Sequence, residues 1–355
     1  MQVGKTQLRS IWSEGSKIKI IDQTLLPFRL KILQLSNLQD FADAIISMKV
    51  RGAPLIGVTA LFGVANEMRI DASQRSLNNA VSKLSKTRPT AYNLFWALNE
   101  IKTYLSSISK AERYEAALSF ANLKAEEDIE RNKKIGKYCG EQILKSSSKE
   151  TINIMTHCNA GWLATVDYGT ALAPIFYLHE KKVNIHVFVS ETRPRNQGAF
   201  LTAWELSNMK IPHTVIADNA SGLILQKGLV DYVIVGSDRV IHSGEVFNKI
   251  GTYMKALACK EAKIPFYVCA PTSTIDWEDQ TRGKDIIIED RSPSEVTDIM
   301  ALNVHNNRVG NYRIMNVDSN AINPAFDMTP RNFVTKIFTE KGGSTPGNLW
   351  KQKND

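Results

Sequence analysis

From residue 151 onward the sequence repeats one pattern: a short β-branched run, a helical stretch, then another short run. The runs are Thr151–Met155, Asn184–Val189, His213–Ile216, Tyr232–Val235 and Phe266–Cys269. The stretches between them are Ala164–His179, Ala199–Met209, Ser221–Lys227 and Lys249–Ala262. A helix between two strands returns the chain to the same end of a sheet, so this alternation predicts a doubly wound parallel sheet. Ligands of such sheets gather beyond the carboxyl ends of the strands. There the sequence reads Thr156-His157-Cys158-Asn159-Ala160-Gly161, Ser190 to Arg195, Ala217-Asp218-Asn219, Gly236-Ser237-Asp238-Arg239 and Ala270-Pro271-Thr272. Small, polar and turn-forming residues therefore collect along one rim.

The first 110 residues read as mostly helical after a short start. Ile18–Ile21 and Phe28–Leu30 are strand-like pieces around Pro27. Leu38–Met48 has helical apolar spacing. Arg51-Gly52-Ala53-Pro54 then leads into an apolar helix reaching about Met68, and Pro89 separates Ser82–Arg88 from a helix at Ala91–Leu105. Ala111–Leu144, free of proline, reads as a connector between domains. The expected division is a small, mainly helical domain at 1–128 and an α/β domain at 129–355. The tail Lys341–Asp355, with three glycines and no periodicity, is expected to be flexible.

Composition narrows the function classes. The chain has 355 residues, enough for about two domains, with 43% hydrophobic and 23% charged residues. No stretch of 18 apolar residues suggests a membrane span, and Met1–Ser10 has no apolar core of a secretion signal. Four scattered cysteines (Cys139, Cys158, Cys259, Cys269) form no CxxC pair, so neither zinc nor a disulfide framework is indicated and a cytoplasmic location is expected. The net charge of +8 comes from interleaved bases and acids without a run of five like charges. It points away from nucleic acid and suits an anionic small substrate. Dinucleotide-fingerprint, P-loop, HExxH and GxSxG patterns are absent from the sequence.

Two rim residues carry candidate chemistry. Cys158 alone of the cysteines lies on the rim, just past a strand, where N–H groups of a following helix would lower its thiol pKa. Asp238 ends the apolar run Val233–Gly236. The direct neighbour His157 is expected to point to the opposite face and not to pair with Cys158. Arg51-Gly52-Ala53, Arg88-Pro89 and Asn248-Lys249 each place a cation before an expected helix start, an arrangement suited to an anionic group.

The longer strings show a resemblance. IDQTLLP (Ile21–Pro27), RGAPLIG (Arg51–Gly57), RPTAYNLFWAL (Arg88–Leu98), THCNAGWLATVDYGTA (Thr156–Ala171), ETRPRNQGAFLTAWEL (Glu191–Leu206), GSDRV (Gly236–Val240), NKIGTY (Asn248–Tyr253) and NPAFDMTP (Asn323–Pro330) run in order over about 310 residues. Together they resemble the methylthioribose-1-phosphate isomerases of methionine salvage, relatives of the regulatory subunits of the translation-initiation guanine-nucleotide exchange factor. The resemblance implies a helical N-terminal domain joined to a Rossmann-like domain, usually in a homodimer. It implies Cys158 and Asp238 as the catalytic pair. It implies Arg51, Gly52, Ala53, Arg88, Gln197, Asn248 and Lys249 as substrate contacts; Gln197 enters on this ground alone. Ser237 stands where the family usually has Ala, Glu245 where Asp is common, and Asp218–Ser221 lacks a frequent Met-rich stretch.

The implied substrate is a furanose phosphorylated on its anomeric oxygen, so it has no free aldehyde and must open with the phosphate retained. Asp238 is expected to protonate the ring oxygen, which requires a carboxyl pKa raised above about 3.9. Hydrogen then moves from C2 to C1. Either Cys158 removes the C2 proton as a thiolate, or a hydride moves directly while Cys158 stabilises the transition state and Asp238 takes the 2-hydroxyl proton. Neither route requires a cofactor or metal. Two other readings stand beside this one: the same chemistry on 5-deoxyribose 1-phosphate or a related pentose 1-phosphate, and a non-catalytic regulatory subunit.

Overall fold

The computed structural model describes residues 1–89, 91–278, 283 and 285–353. Its largest sheet has seven strands. In spatial order they are Gly342–Ser344, Lys336–Thr339, Phe266–Cys269, Tyr232–Val235, Ile152–His157, Ile185–Ser190 and His213–Ile216. Every neighbouring pair is parallel except the Gly342–Ser344 edge. The first five runs read from the sequence are thus five adjacent strands. The chain builds outward from Ile152–His157 to His213–Ile216, then returns to the other side of its first strand. That reversal is the topological switch point, where a crevice opens beyond the carboxyl ends. Cys158 directly follows one of the two strands flanking it, and Asp238 follows the other by three residues.

Ahead of this sheet lie a three-stranded meander, Ile11–Glu14, Lys17–Ile21 and Ile32–Leu35, and five helices: α1 (Leu38–Ile46), α2 (Ala53–Ile70), α3 (Gln74–Ser85), α4 (Tyr92–Ser106) and α5 (Arg113–Ser146). The third meander strand lies beyond the expected Phe28–Leu30. A capping box starts α1: the Asn37 side chain accepts from the Gln39 and Asp40 N–H groups, and Asp40 accepts from the Asn37 N–H. Helix α2 is buried along most of its length because α1, α3, α4 and α5 all pack on it, which is why it reads as apolar on every face. Helix α5 runs 34 residues, or about 50 Å at 1.5 Å per residue. Ala117, Ala121, Ala125 and Ile129 enter the core around α2, whereas Ile135, Cys139 and Ile143 enter the core under the large sheet.

A second, four-stranded sheet was missed by the sequence reading. It pairs Ile275–Asp276, Arg239–Ile241, Val246–Lys249 and Phe326–Thr329. Asn248 and Lys249 therefore end a strand rather than open a helix. The helix begins at Thr252, after Gly251 takes φ +97°. Two other helices are shorter than expected. The segment after Cys158 reaches a helix only at Ala173–Glu180, following a single turn at Trp162–Ala164. Gly198–Thr202 is a widened π turn leading into Ala203–Asn208. The tail is ordered, contrary to expectation: Gly342–Ser344 pairs with Ile337–Thr339, and Leu349 is fully buried. Its glycines sit in a sheet edge and a turn. The final two residues of the expected flexible segment lie outside the described ones.

Candidate active site

The nine residues singled out above converge: Arg51, Gly52, Ala53, Arg88, Cys158, Gln197, Asp238, Asn248 and Lys249 all line one cavity at the switch point. Cys158 ends its strand with φ +65°, which turns its side chain away from the sheet direction. Its N–H donates to Thr192 Oγ1 at 2.7 Å, and its carbonyl accepts from Thr202 Oγ1 at 2.7 Å. The thiol lies 3.3 Å from Gln197 Oε1, a donor–acceptor pair. Burial pushes this thiol up, against the pull of the Arg51 and Lys249 cations. The expectation of a thiol lowered by a following helix is corrected, since no helix starts there. His157 is neutral: burial drives its pKa down to about 3. Its ring contacts the Ile250 carbonyl at 2.8 Å and Thr192 Oγ1 at 3.3 Å, so it does not serve as a base for Cys158.

Asp238 sits between the Tyr232–Val235 and Arg239–Ile241 strands and is held by its N–H bond to the Phe247 carbonyl at 2.9 Å. Burial raises its carboxyl pKa, opposed by Lys249, Arg88 and Arg51. The neighbouring Arg239 does not pair with it; that guanidinium is bonded to Asp276. Lys249 is buried among these groups, and its pKa is lowered by desolvation. Its Nζ lies 5.0 Å from the Phe326 ring centre. Asn248 Nδ2 donates to Thr252 Oγ1 at 2.9 Å.

Arg51 is buried, and both its terminal nitrogens donate to Asn159, to Oδ1 at 2.6 Å and to the carbonyl at 2.5 Å. The next residue, Gly52, takes φ +97°, and a Cβ there would lie 2.6 Å from Ala164 Cα and 2.7 Å from Ala164 Cβ. Only glycine fits this close passage. It aims the first turn of α2, whose cap makes no side-chain hydrogen bond, at the cavity. Of the three cation-before-helix arrangements read from the sequence, Arg88-Pro89 likewise precedes its helix, α4 beginning at Tyr92 after the cap Ala91, whereas Asn248–Lys249 is a strand end.

Arg88 pairs with Glu289 at 2.9 Å, and its buried Nε has no hydrogen-bond partner among the described residues. Glu289 also pairs with Arg291 at 2.9 Å. Arg291 lines the cavity but was missed in the sequence, where residues 285–293 have no periodicity to place it. Asn159 was within the rim string but was not singled out. A second cavity adjoins the first and shares Met48, Arg51 and Gln197 with it. Its apolar wall is Leu26, Phe200, Leu201, Ile299 and Met300. The arrangement combines a cationic, amide-lined pocket with one raised carboxyl, one thiol and an adjoining cavity that has one apolar wall and polar groups at Arg195, Asn196, Glu295 and Asp298. Among the described residues, no group of three or more His, Cys, Asp or Glu is placed to hold a metal ion.

Comparison with known proteins agrees with this geometry. Residues 49–346 match the Initiation factor 2 subunit family. A methylthioribose-1-phosphate isomerase of Brucella anthropi is 48% identical over 352 residues, covering 98% of this chain and 96% of that protein. The crystal structure of 5-methylthioribose 1-phosphate isomerase from Pyrococcus horikoshii OT3 superposes with a TM-score of 0.83 at 38% identity, covering 99% of both chains. That of translation initiation factor eIF-2B, subunit delta, from A. fulgidus gives 0.80 at 40% identity, with 97% of this chain and 100% of that one covered. The chain belongs to the Initiation factor 2 subunit family and, within that likeness, to the methylthioribose-1-phosphate isomerases.

Proposed function

We propose that this protein converts 5-methylthioribose 1-phosphate to 5-methylthioribulose 1-phosphate in methionine salvage. The observation that carries this reading is the convergence of Cys158 and Asp238 with four cationic side chains in one cavity. The adjoining apolar wall supports a thioether at C5. Arg51, Arg88, Lys249 and the Gly52-Ala53 backbone bind the phosphate, while Gln197 and Asn248 hold sugar hydroxyls. The unpartnered Arg88 Nε supports its part in this division, because a buried donor left unpaired favours an incoming acceptor.

Asp238 starts as the acid. It gives its proton to the ring oxygen as the C1–ring oxygen bond breaks, leaving an oxocarbenium at C1 with the phosphate still attached. A hydride moves from C2 to C1, and the 2-hydroxyl proton passes to the Asp238 carboxylate. The acid is regenerated and the product is a C2 ketone. The raised thiol pKa of Cys158 and its hydrogen bond to Gln197 support this route over a thiolate base, with Cys158 filling and polarising the wall beside the reacting carbons. The residues drawn on here need no cofactor.

We place the division at 1–128 and 129–355 because α5 joins two cores, with Ile129 still packing in the first and Ile21 and Leu26 in the second. We read the second unit as Rossmann-like, because the first six strands of the seven-stranded sheet, numbered in chain order, stand 3-2-1-4-5-6 across it. A homodimer and a cytoplasmic location complete the reading; no helix among the described residues is long and apolar enough to cross a membrane. The test follows ketose formation by NMR with methylthioribose, 5-deoxyribose and ribose 1-phosphates. Higher kcat/KM for the methylthio sugar, lost in Cys158→Ala and Asp238→Asn, is expected. Equal use of the deoxy sugar would move the protein to that substrate, and no turnover of any of them would favour a non-catalytic subunit.

A further inference from the structure

Behind the cavity wall, Glu205 is fully buried, with no cation in hydrogen-bond contact among the described residues. Its carboxylate meets three N–H donors: Asn159 Nδ2 at 2.9 Å, the Trp162 N–H at 3.0 Å and the Leu163 N–H at 3.0 Å. The loop closes tightly over it, since a Cβ on Gly161 would lie within 2.5 Å of the Glu205 carboxyl carbon. Capping the Trp162–Ala164 turn uses only the two backbone donors. The third donor connects the carboxylate to the active site.

An amide has one oxygen and one NH2 group, and its neighbours decide which way it faces. Burial pushes the Glu205 pKa up to about 7, while its three N–H donors favour the ionised, accept-only form; the Asn159 NH2 then faces it. Asn159 Oδ1 is then left facing Arg51, which only donates, at 2.6 Å. The same NH2 reaches Thr202 Oγ1 at 3.1 Å, and Thr202 in turn donates to the Cys158 carbonyl at 2.7 Å. One buried carboxylate thereby orients one amide, and that amide holds the guanidinium and, through Thr202, the backbone of the thiol residue.

We propose that Glu205 and Asn159 are positioning residues that hold Arg51 for the phosphate of the substrate. The inference rests on the sugar-phosphate reading of the site. Reversing the donor and the acceptor tests it. In Glu205→Gln, an NH2 group faces donors; in Asn159→Asp, two carboxylates face each other. Each single variant should raise KM at least tenfold while kcat changes by less than threefold. It should also weaken binding of inorganic phosphate, measured by calorimetry, about tenfold. In the double variant, the amide introduced at position 205 donates to the carboxylate introduced at position 159, which still accepts from Arg51, and only the Leu163 N–H bond to that side of the group is lost. KM and phosphate affinity should return to within about threefold of the parent.

A turn cap alone would not be rescued by a change at Asn159. A double variant no better than its worse parent, or single variants with unchanged phosphate affinity, would overturn the inference. If the unmodified protein turned over no pentose 1-phosphate, the proposed function would fail on its own. Phosphate affinity across the four proteins would then still decide whether Glu205 and Asn159 position Arg51. Should either single variant fold poorly, refolding of the double variant with restored phosphate binding would itself support the reversal.

Discussion

Gly52→Ala isolates what the close passage of α2 contributes. Gly52 takes φ +97°, and its Cβ would sit 2.6 Å from Ala164 Cα and 2.7 Å from Ala164 Cβ. Ordinary carbon contacts are about 3.5–4.0 Å, so the two backbones must part by about 1 Å. The left-handed backbone adds about 1–3 kcal/mol of strain. A displacement near 1 Å at a group that positions substrate costs about 100-fold in rate, or about 2.7 kcal/mol. Gly15→Ala supplies the control. Gly15 has φ +61° in the turn between the first two meander strands, with nothing within 4 Å of a Cβ, so it carries backbone strain without a clash. The assay is kcat/KM on methylthioribose 1-phosphate beside urea melts of both variants. Gly52→Ala should lose about 100-fold in kcat/KM and be the less stable of the two, while Gly15→Ala keeps full activity. If Gly52→Ala retained kcat/KM within threefold, the first turn of α2 would not be part of the phosphate site.

Asp238→Asn should lower kcat by at least about 100-fold, the usual scale for a positioned acid, and Cys158→Ala should lower kcat through the lost polarisation beside the reacting carbons. Because Asp238 must start protonated and its pKa is raised, kcat/KM should fall as pH rises through that value. A rate that climbs instead would refute its role as the acid. Asp128 is buried against the Val166 N–H at 2.8 Å, and its pKa is raised to about 7 from 3.8. The native state holds a proton there that the unfolded chain releases, so stability is lost as pH rises from about 4 to about 7. Asp128→Asn should shrink the loss between pH 5 and pH 8 by about 2.7 kcal/mol, since about two pH units of that range lie below pH 7 at about 1.36 kcal/mol each. Parallel urea curves for the two proteins would refute this. Leu349→Ala should cost about 2–5 kcal/mol, since Leu349 is fully buried in the tail; a tail that only drapes on the surface would show no change.

Local pattern carried much of this protein. Period-two and period-3.6 spacing is a property of neighbouring residues, so the five runs from Thr151 to Cys269 and the proline-free α5 were legible without a structure. Parallel strands joined by helices all end on one side of the sheet, and that already placed Cys158 and Asp238 on one rim. Gln197 was legible only through the resemblance, because the widened turn that brings it 3.3 Å from the thiol leaves no periodic trace. What the tertiary structure decided is whatever depends on partners distant in the chain. Val246–Lys249 became a strand because Arg239–Ile241 and Phe326–Thr329 flank it. The glycine-rich tail became ordered because the edge of the large sheet accepted it. Arg291 reached the cavity through ion pairs with Glu289 and Glu295. The Cys158 thiol was pushed up rather than down because burial, set by the closed fold, outweighed its nearby cations. Spacing in sequence reports which face a residue presents, whereas desolvation and long-range pairing exist only once the faces have met.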